Sequence, residues 1–126
     1  MEPLIFEGSP KTPSVSFDAE KGVIEIKGRS IPENSIEFYK PLVAWLDEYK
    51  ENPAPKTQVN IQLEYFNTSS SKCILDLFKK IEGVRIKSED VIINWYYEED
   101  DESMLEAGED YESIIKVPFK KIEITE

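Results

Sequence analysis

The sequence predicts an α/β fold, a mixed β-sheet with helices mainly on one face, within one domain spanning residues 1–126. Three observations predict it. Strand-like and helix-like segments alternate from Gly22 onward, the order that builds parallel crossovers. Val59, Ile61, Leu63 and Tyr65 alternate with Asn60, Gln62 and Glu64, so one face of that strand is polar and the helices gather on the other. No internal repeat, low-complexity tract or long linker divides the chain.

Taken in order, Leu4-Ile5-Phe6 and Val15-Ser16-Phe17 read as short extended segments, separated by Gly8, Pro10 and Pro13. A strand lies between Gly22 and Gly28, with Ile24 and Ile26 facing one way and Glu25 and Lys27 the other. Pro32-Glu33-Asn34-Ser35 opens a helix carrying Ile36, Leu42, Val43, Trp45, Leu46 and Tyr49. Pro41 lacks an amide proton and suits a first turn, which predicts a short turn at 35–39 and the main helix from about Lys40. Asn52-Pro53-Ala54-Pro55 ends that helix. After the 59–65 strand, Ile74, Leu77, Phe78 and Ile81 recur at helical spacing, giving a helix from Ser69 to Ile81 with Gly83 as its stop. Val91–Tyr97 is a largely apolar, central strand. Met104, Ala107, Gly108 and Tyr111 mark a short helix. Ile114-Ile115-Lys116-Val117 reads as a further strand and Lys121-Ile122-Glu123-Ile124 as an edge or terminal segment.

Composition removes whole classes of function. A formal net charge of -11 argues against nucleic acid or an anionic membrane surface as the main partner. No 18-residue apolar run and no basic-then-apolar leader is present, so a soluble, cytoplasmic chain without membrane insertion is expected. The one cysteine, Cys73, allows no internal disulfide and reads as a buried thiol on a helix. The chain has no histidine, so neither a Ser-His-Asp nor a Cys-His arrangement can form, nor a His-ligated zinc site. The five glycines build no phosphate-cradling loop. Glu98-Glu99-Asp100-Asp101-Glu102 is the densest acidic run. It lacks the spaced ligands and turn glycine of a calcium loop, and it reads as a solvated cap for the helix that follows. No catalytic residue, metal site or cofactor is therefore expected.

The stretch with the most to say is Tyr65-Phe66-Asn67-Thr68-Ser69-Ser70-Ser71-Lys72, where a strand gives way to a helix. Asn67, Thr68, Ser69 or Ser70 could each cap that helix, because a side-chain oxygen accepts from an unpaired backbone N–H. The same free amides and the positive end of the helix dipole would also stabilise a phosphoryl group on one of the hydroxyls. Spacing alone does not choose between a cap and a phosphosite, nor among Thr68, Ser69, Ser70 and Ser71.

The order of elements resembles the STAS domain, the fold of the anti-sigma-factor antagonists. More specifically, the chain resembles the SiaC family of bacterial regulatory phosphoproteins. The resemblance rests on Pro32-Glu33-Asn34-Ser35 before the first helix, Tyr65-Phe66-Asn67-Thr68-Ser69-Ser70 at the second, Trp95-Tyr96-Tyr97-Glu98 with its acidic run, and Pro118-Phe119 near the end. It implies that Thr68, the threonine of the Asn-Thr-Ser-Ser motif, is the phosphoacceptor. It also implies partner switching: a cognate protein kinase modifies the protein, a PP2C-type phosphatase reverses this, and the unmodified form binds a target such as a diguanylate cyclase. Ser71 departs from the motif by adding one more hydroxyl. Asn67, Ser69, Ser70 and Lys72 form the expected environment of the phosphate, with Lys72 one helical turn along. Asn34 and Ser35 are placed near the same end of the sheet, as caps or as partner contacts.

Two other classes compete with a switch. A STAS-like domain binding a nucleotide or lipid in a groove by the Thr68 loop would need a pocket, for which the sequence offers no signature. A carboxylate-dependent enzyme would need two carboxyl groups facing one another in a cleft.

Overall fold

The computed structural model describes residues 1–125. Six strands form one sheet: β1 (Leu4–Phe6), β2 (Ser14–Asp18), β3 (Val23–Ser30), β4 (Thr57–Phe66), β5 (Val91–Glu98) and β6 (Phe119–Ile124). They lie in the sheet in chain order. β1, β2 and β3 pair antiparallel, and β3 through β6 pair parallel. Helices α1 (Ser35–Tyr49), α2 (Thr68–Lys87) and α3 (Glu102–Ile114) make the three parallel crossovers. Right-handed crossovers that all step in the same direction put their helices on the same side of the sheet.

The core fills the space between that side and the helices. Ile24 and Ile26 of β3, Val59, Ile61 and Leu63 of β4, and Val91, Ile93 and Trp95 of β5 meet Tyr39, Leu42, Leu46, Ile74, Leu77, Phe78 and Ile81. Each such aliphatic or aromatic side chain taken fully out of water contributes about 1.5–3 kcal/mol. The opposite face is left to Glu25, Lys27, Asn60, Gln62 and Tyr96, and there Asn94 Nδ2 donates to Asn60 Oδ1 at 2.9 Å. The one-sided cover read from the 59–65 alternation is present along Val59, Ile61 and Leu63, but Tyr65 is exposed, because the register with β3 shifts between Leu63 and Tyr65.

Three local expectations need correction. α1 runs unbroken from Ser35 through Pro41 to Tyr49, with no separate turn at 35–39. Pro41 is exposed, so the Glu37 carbonyl it leaves unpaired can meet water, while Tyr39, Leu42, Trp45, Leu46 and Tyr49 are buried along the inner face. α2 passes through Gly83 and ends at Lys87, because Val84 is still buried in the core beyond it. The segment Ile114–Val117 is not a strand: Ile114 closes α3 and the next residues form a connection. Ile115 and Val117 are buried and Ile114 and Lys116 exposed, an alternation of period two without a ladder. β6 instead opens at Phe119, just after the Pro118 carbonyl has accepted from Ile93 N.

Two glycines are fixed by close approach. Gly22 has φ +68°, and a Cβ there would lie 2.0 Å from the Lys56 carbonyl oxygen. Gly108 seats α3 on the sheet, since a Cβ would lie 2.6 Å from Cδ1 of the buried Trp95. Trp95 Nε1 in turn donates to the Met104 carbonyl of α3 at 2.9 Å. No helix of the described residues is long and apolar enough to cross a membrane.

Candidate functional site

Because β3, β4 and β5 are parallel, the helix that follows each of them begins at the same end of the sheet. In open α/β sheets this is the end at which ligands and partners are met. Each helix start is capped by a short polar side chain. Asn34 Oδ1 accepts from Glu37 N at 3.2 Å, Asn67 Oδ1 from Ser70 N at 2.8 Å, and Asp101 Oδ1 from Met104 N at 3.0 Å. The acidic run after β5 thus supplies the cap of α3. Among the described residues no three acidic or cysteine side chains converge as a group able to hold a metal ion.

The start of α2 is held in place by hydroxyls. Asn67 N donates to the Ser30 carbonyl at 3.0 Å, which ties the last residue of β3 to the cap. Tyr39 OH, Ser30 Oγ, Ser70 Oγ, Ser35 Oγ and Ser69 Oγ then follow one another at 2.6, 2.9, 3.2 and 2.7 Å, and the chain ends 3.2 Å from Asn67 Oδ1. Each hydroxyl has one proton to give. Ser30 gives its proton to Ser70, so Tyr39 must donate to Ser30. Ser69 Oγ donates to Asn67 Oδ1 and is bonded to Ser35 Oγ, which also reaches Asn67 Oδ1 at 3.5 Å; with the Ser35 proton spent on these partners, Ser70 donates to Ser35. The hydroxyls therefore link the buried Tyr39 to the Asn67 cap, which both Ser35 and Ser69 reach. Burial pushes the Tyr39 phenol above its ordinary range, in keeping with its role as a donor, although the Ser30 bond opposes the shift.

The candidate residues fall into distinct environments. Ser70 and Ser35 are buried, and Ser35 sits between the starts of α1 and α2. Ser69 is exposed as a residue, but its hydroxyl is engaged by Ser35 and Asn67. Ser71 Oγ lies 3.1 Å from Tyr111 OH, which also donates to the Ser71 carbonyl at 2.9 Å. Burial is the main cause pushing the Tyr111 phenol up to about 12. Thr68 is the first residue of α2 and is exposed, and among the described residues no such bond engages its hydroxyl. Lys72 is exposed one turn further along the helix. Asn34 is exposed at the start of α1. The first turn of α2 contains no acidic residue, whereas those of α1 and α3 carry Glu37 and Glu102.

A groove of about 340 Å³ opens between α1 and α2, lined by Ile36, Tyr39, Val43, Ala44, Cys73 and Asp76 among others, and Thr68 is not part of its wall. Cys73 is buried there as the spacing suggested, and burial, seconded by Asp76, raises its thiol above the ordinary value. Ser30, Tyr39 and Tyr111 escaped the sequence reading. Ser30 left a signal, because it continues the even-numbered inward positions Ile24 and Ile26, where a polar residue needs a partner. Tyr39 is not among the residues that mark its helix in the sequence, and Tyr111 reads only as one of the residues marking a short helix.

Comparison with known proteins supplies the family. The model of the SiaC family of regulatory phosphoproteins matches residues 6–124. The chain is 27% identical over 119 residues to an uncharacterized protein of Pseudomonas aeruginosa strain UCBPP-PA14, covering 94% of each. It is similar to the solved structure of SiaC of Pseudomonas aeruginosa, with a TM-score of 0.89 and 25% identity over 98% of this chain and 100% of that one. A second match, with a TM-score of 0.88 and 25% identity over 96% and 99% of the two chains, comes from a crystal structure of the diguanylate cyclase SiaD in complex with its activator SiaC from the same organism. With a six-stranded mixed sheet, three helices and a family match along nearly its whole length, this chain belongs to the SiaC family of regulatory phosphoproteins.

Proposed function

We propose that this chain is a non-enzymatic, single-domain signalling protein of the bacterial cytoplasm that switches partners through reversible phosphorylation of Thr68. A cognate kinase adds the phosphate and a PP2C-type phosphatase removes it. The unmodified form binds a target of the diguanylate cyclase class. The observation that carries this reading is the freedom of the Thr68 hydroxyl: it is exposed, while those of Ser69, Ser70 and Ser71 are bonded. A related protein, SiaC of Pseudomonas aeruginosa, is the activator of the diguanylate cyclase SiaD, which supports the target class.

The physical basis is local. A phosphate on Thr68 meets first-turn amides and a helix dipole that no acidic side chain of α2 has yet answered. It adds about −1.5 to −2 charge without unfolding the helix. Glu33 and Asp100–Glu102 lie at the starts of the neighbouring helices, so the new charge joins an acidic rim and blocks close packing of a partner. Asn34 flanks the surface as a contact, and Lys72 is the nearest cation on α2.

The test is phosphate mapping by mass spectrometry on protein isolated from its own cells, followed by pull-down of a diguanylate cyclase from the same cells. Phosphate on Thr68 that varies with growth condition, and capture by the unmodified form alone, is the expected result. Phosphate only on a serine, or equal capture by both forms, overturns it.

A further inference from the structure

We infer that Ser35 is a positioning residue that confines phosphorylation to Thr68 by holding the neighbouring Ser69 hydroxyl out of reaction. This rests on the Thr68 reading and adds the origin of its selectivity. Thr68 and Ser69 are adjacent and both exposed as residues, so exposure alone does not separate them for a kinase. Their bonding does. Ser69 Oγ is hydrogen-bonded both to Asn67 Oδ1 at 3.2 Å and to Ser35 Oγ at 2.7 Å, and Ser35 Oγ itself reaches Asn67 Oδ1 at 3.5 Å. Ser35 is itself fixed, since it is buried at the start of α1 and accepts from the buried Ser70 at 3.2 Å.

Transfer requires what this arrangement withholds. The attacking hydroxyl oxygen forms a bond to the γ-phosphorus of a nucleoside triphosphate held by the kinase, and its proton passes to a base of the kinase. The bond from that phosphorus to the bridging oxygen breaks, and the nucleoside diphosphate leaves with the electron pair. The Ser69 oxygen is held in two hydrogen bonds, to Ser35 Oγ and to the Asn67 cap. To react, it must first break from a chain anchored at Tyr39. Among the described residues, Thr68 has no such bonds to break.

Phosphate mapping on the unaltered chain, Ser35→Ala and Ser35→Ala/Ser69→Ala, each produced in the native cells, tests this. With Ser35→Ala, the share of phosphate on Ser69 should rise roughly 2- to 10-fold, the span set by the net strength of one hydrogen bond. The double variant should return the phosphate to Thr68 alone, an outcome that general loosening of the fold would not produce. If Ser35→Ala folds poorly, Ser35→Cys keeps the size, weakens the donor and carries the same expectation. Phosphate confined to Thr68 in the folded Ser35 variants overturns the inference and leaves the switch standing. Absence of phosphate from Thr68 in the unaltered chain overturns both.

Discussion

The starts of α2 and α3 use one device toward different ends. Both follow a parallel strand at the same end of the sheet and both are capped by a short side chain, Asn67 or Asp101. At α3 the cap is a carboxylate and Glu102 follows it, so the helix dipole is answered by the protein's own charge. At α2 the cap is neutral, the first turn has no acid, and four hydroxyls follow. The difference teaches that an anion-ready helix start is made as much by leaving charge out as by putting donors in. The bodies of the helices differ too: α3 is pinned to Trp95 through Gly108, while Gly83 of α2 faces nothing closer than Lys50 Cδ at 3.7 Å.

The largest break in this comparison comes from the two helical glycines. Gly108→Ala should lose about 3 kcal/mol, because the new methyl meets a buried indole that has no room to move. Gly83→Ala should instead gain up to about 1 kcal/mol, from helix propensity at a site with ordinary clearance. Urea unfolding of both variants measures the contrast, and similar signs would erase it. The caps come next. Asp101→Ala should cost about 1 kcal/mol, the usual worth of a cap. Asn67→Ala should cost about 2 kcal/mol, because Oδ1 accepts from Ser69 as well as from the Ser70 amide and closes the hydroxyl chain.

Alkali tests the bridge between the two helices. The Tyr111 phenol of α3 donates to the Ser71 carbonyl of α2 and is pushed up from 10.0 to about 12. A folded value above the unfolded one means that the native state holds the proton longer. Its contribution is full below about pH 10 and lost as pH climbs from about 10 to about 12, by at most about 1.4 kcal/mol per unit. Tyr39, raised by burial, adds to the loss in the same direction. Urea midpoints measured across that window should fall, with Tyr111→Phe flattening part of the decline. The smallest effect belongs to Thr68→Ala, which should change stability by less than about 0.5 kcal/mol while removing the proposed phosphosite. A calorimetric shift larger than this would mean that the hydroxyl is structural after all.

Much of the fold was legible because the signals were local. The period-two pattern of Val59–Leu63 and the helical spacing of Ile74–Ile81 each fix an element and its inward face, while Tyr65, which the alternation also places inward, is exposed beyond a register shift that no local pattern shows. The errors came where packing overrode local chemistry. Pro41 did not break α1 because the buried stripe from Tyr39 to Tyr49 outweighs one lost bond, and Gly83 did not end α2 because Val84 still reaches the core. Ile115 and Val117 imitate a strand because both plug the core from an irregular connection. At the site, the sequence narrowed the acceptor to a run of hydroxyls but could not separate them. What sets Thr68 apart is that its neighbours are engaged from afar, Ser69 by Ser35 34 positions away, Ser70 by Ser30 and Ser71 by Tyr111 each 40 positions away, and no local pattern encodes such distances.

The agreement between strand order and chain order has a consequence for how the protein is made. Synthesis delivers the chain from its N-terminus, and domains begin to organise as they emerge. Here each new strand finds its docking edge already formed, and no pair has to open to admit a latecomer. Every member of the hydroxyl chain, from Ser30 to Ser70, precedes β5 and α3. The ribosome therefore supplies the groups that distinguish Thr68 from Ser69 and Ser70 before it supplies the acidic run at the start of α3, whereas Tyr111, which engages Ser71, comes after it.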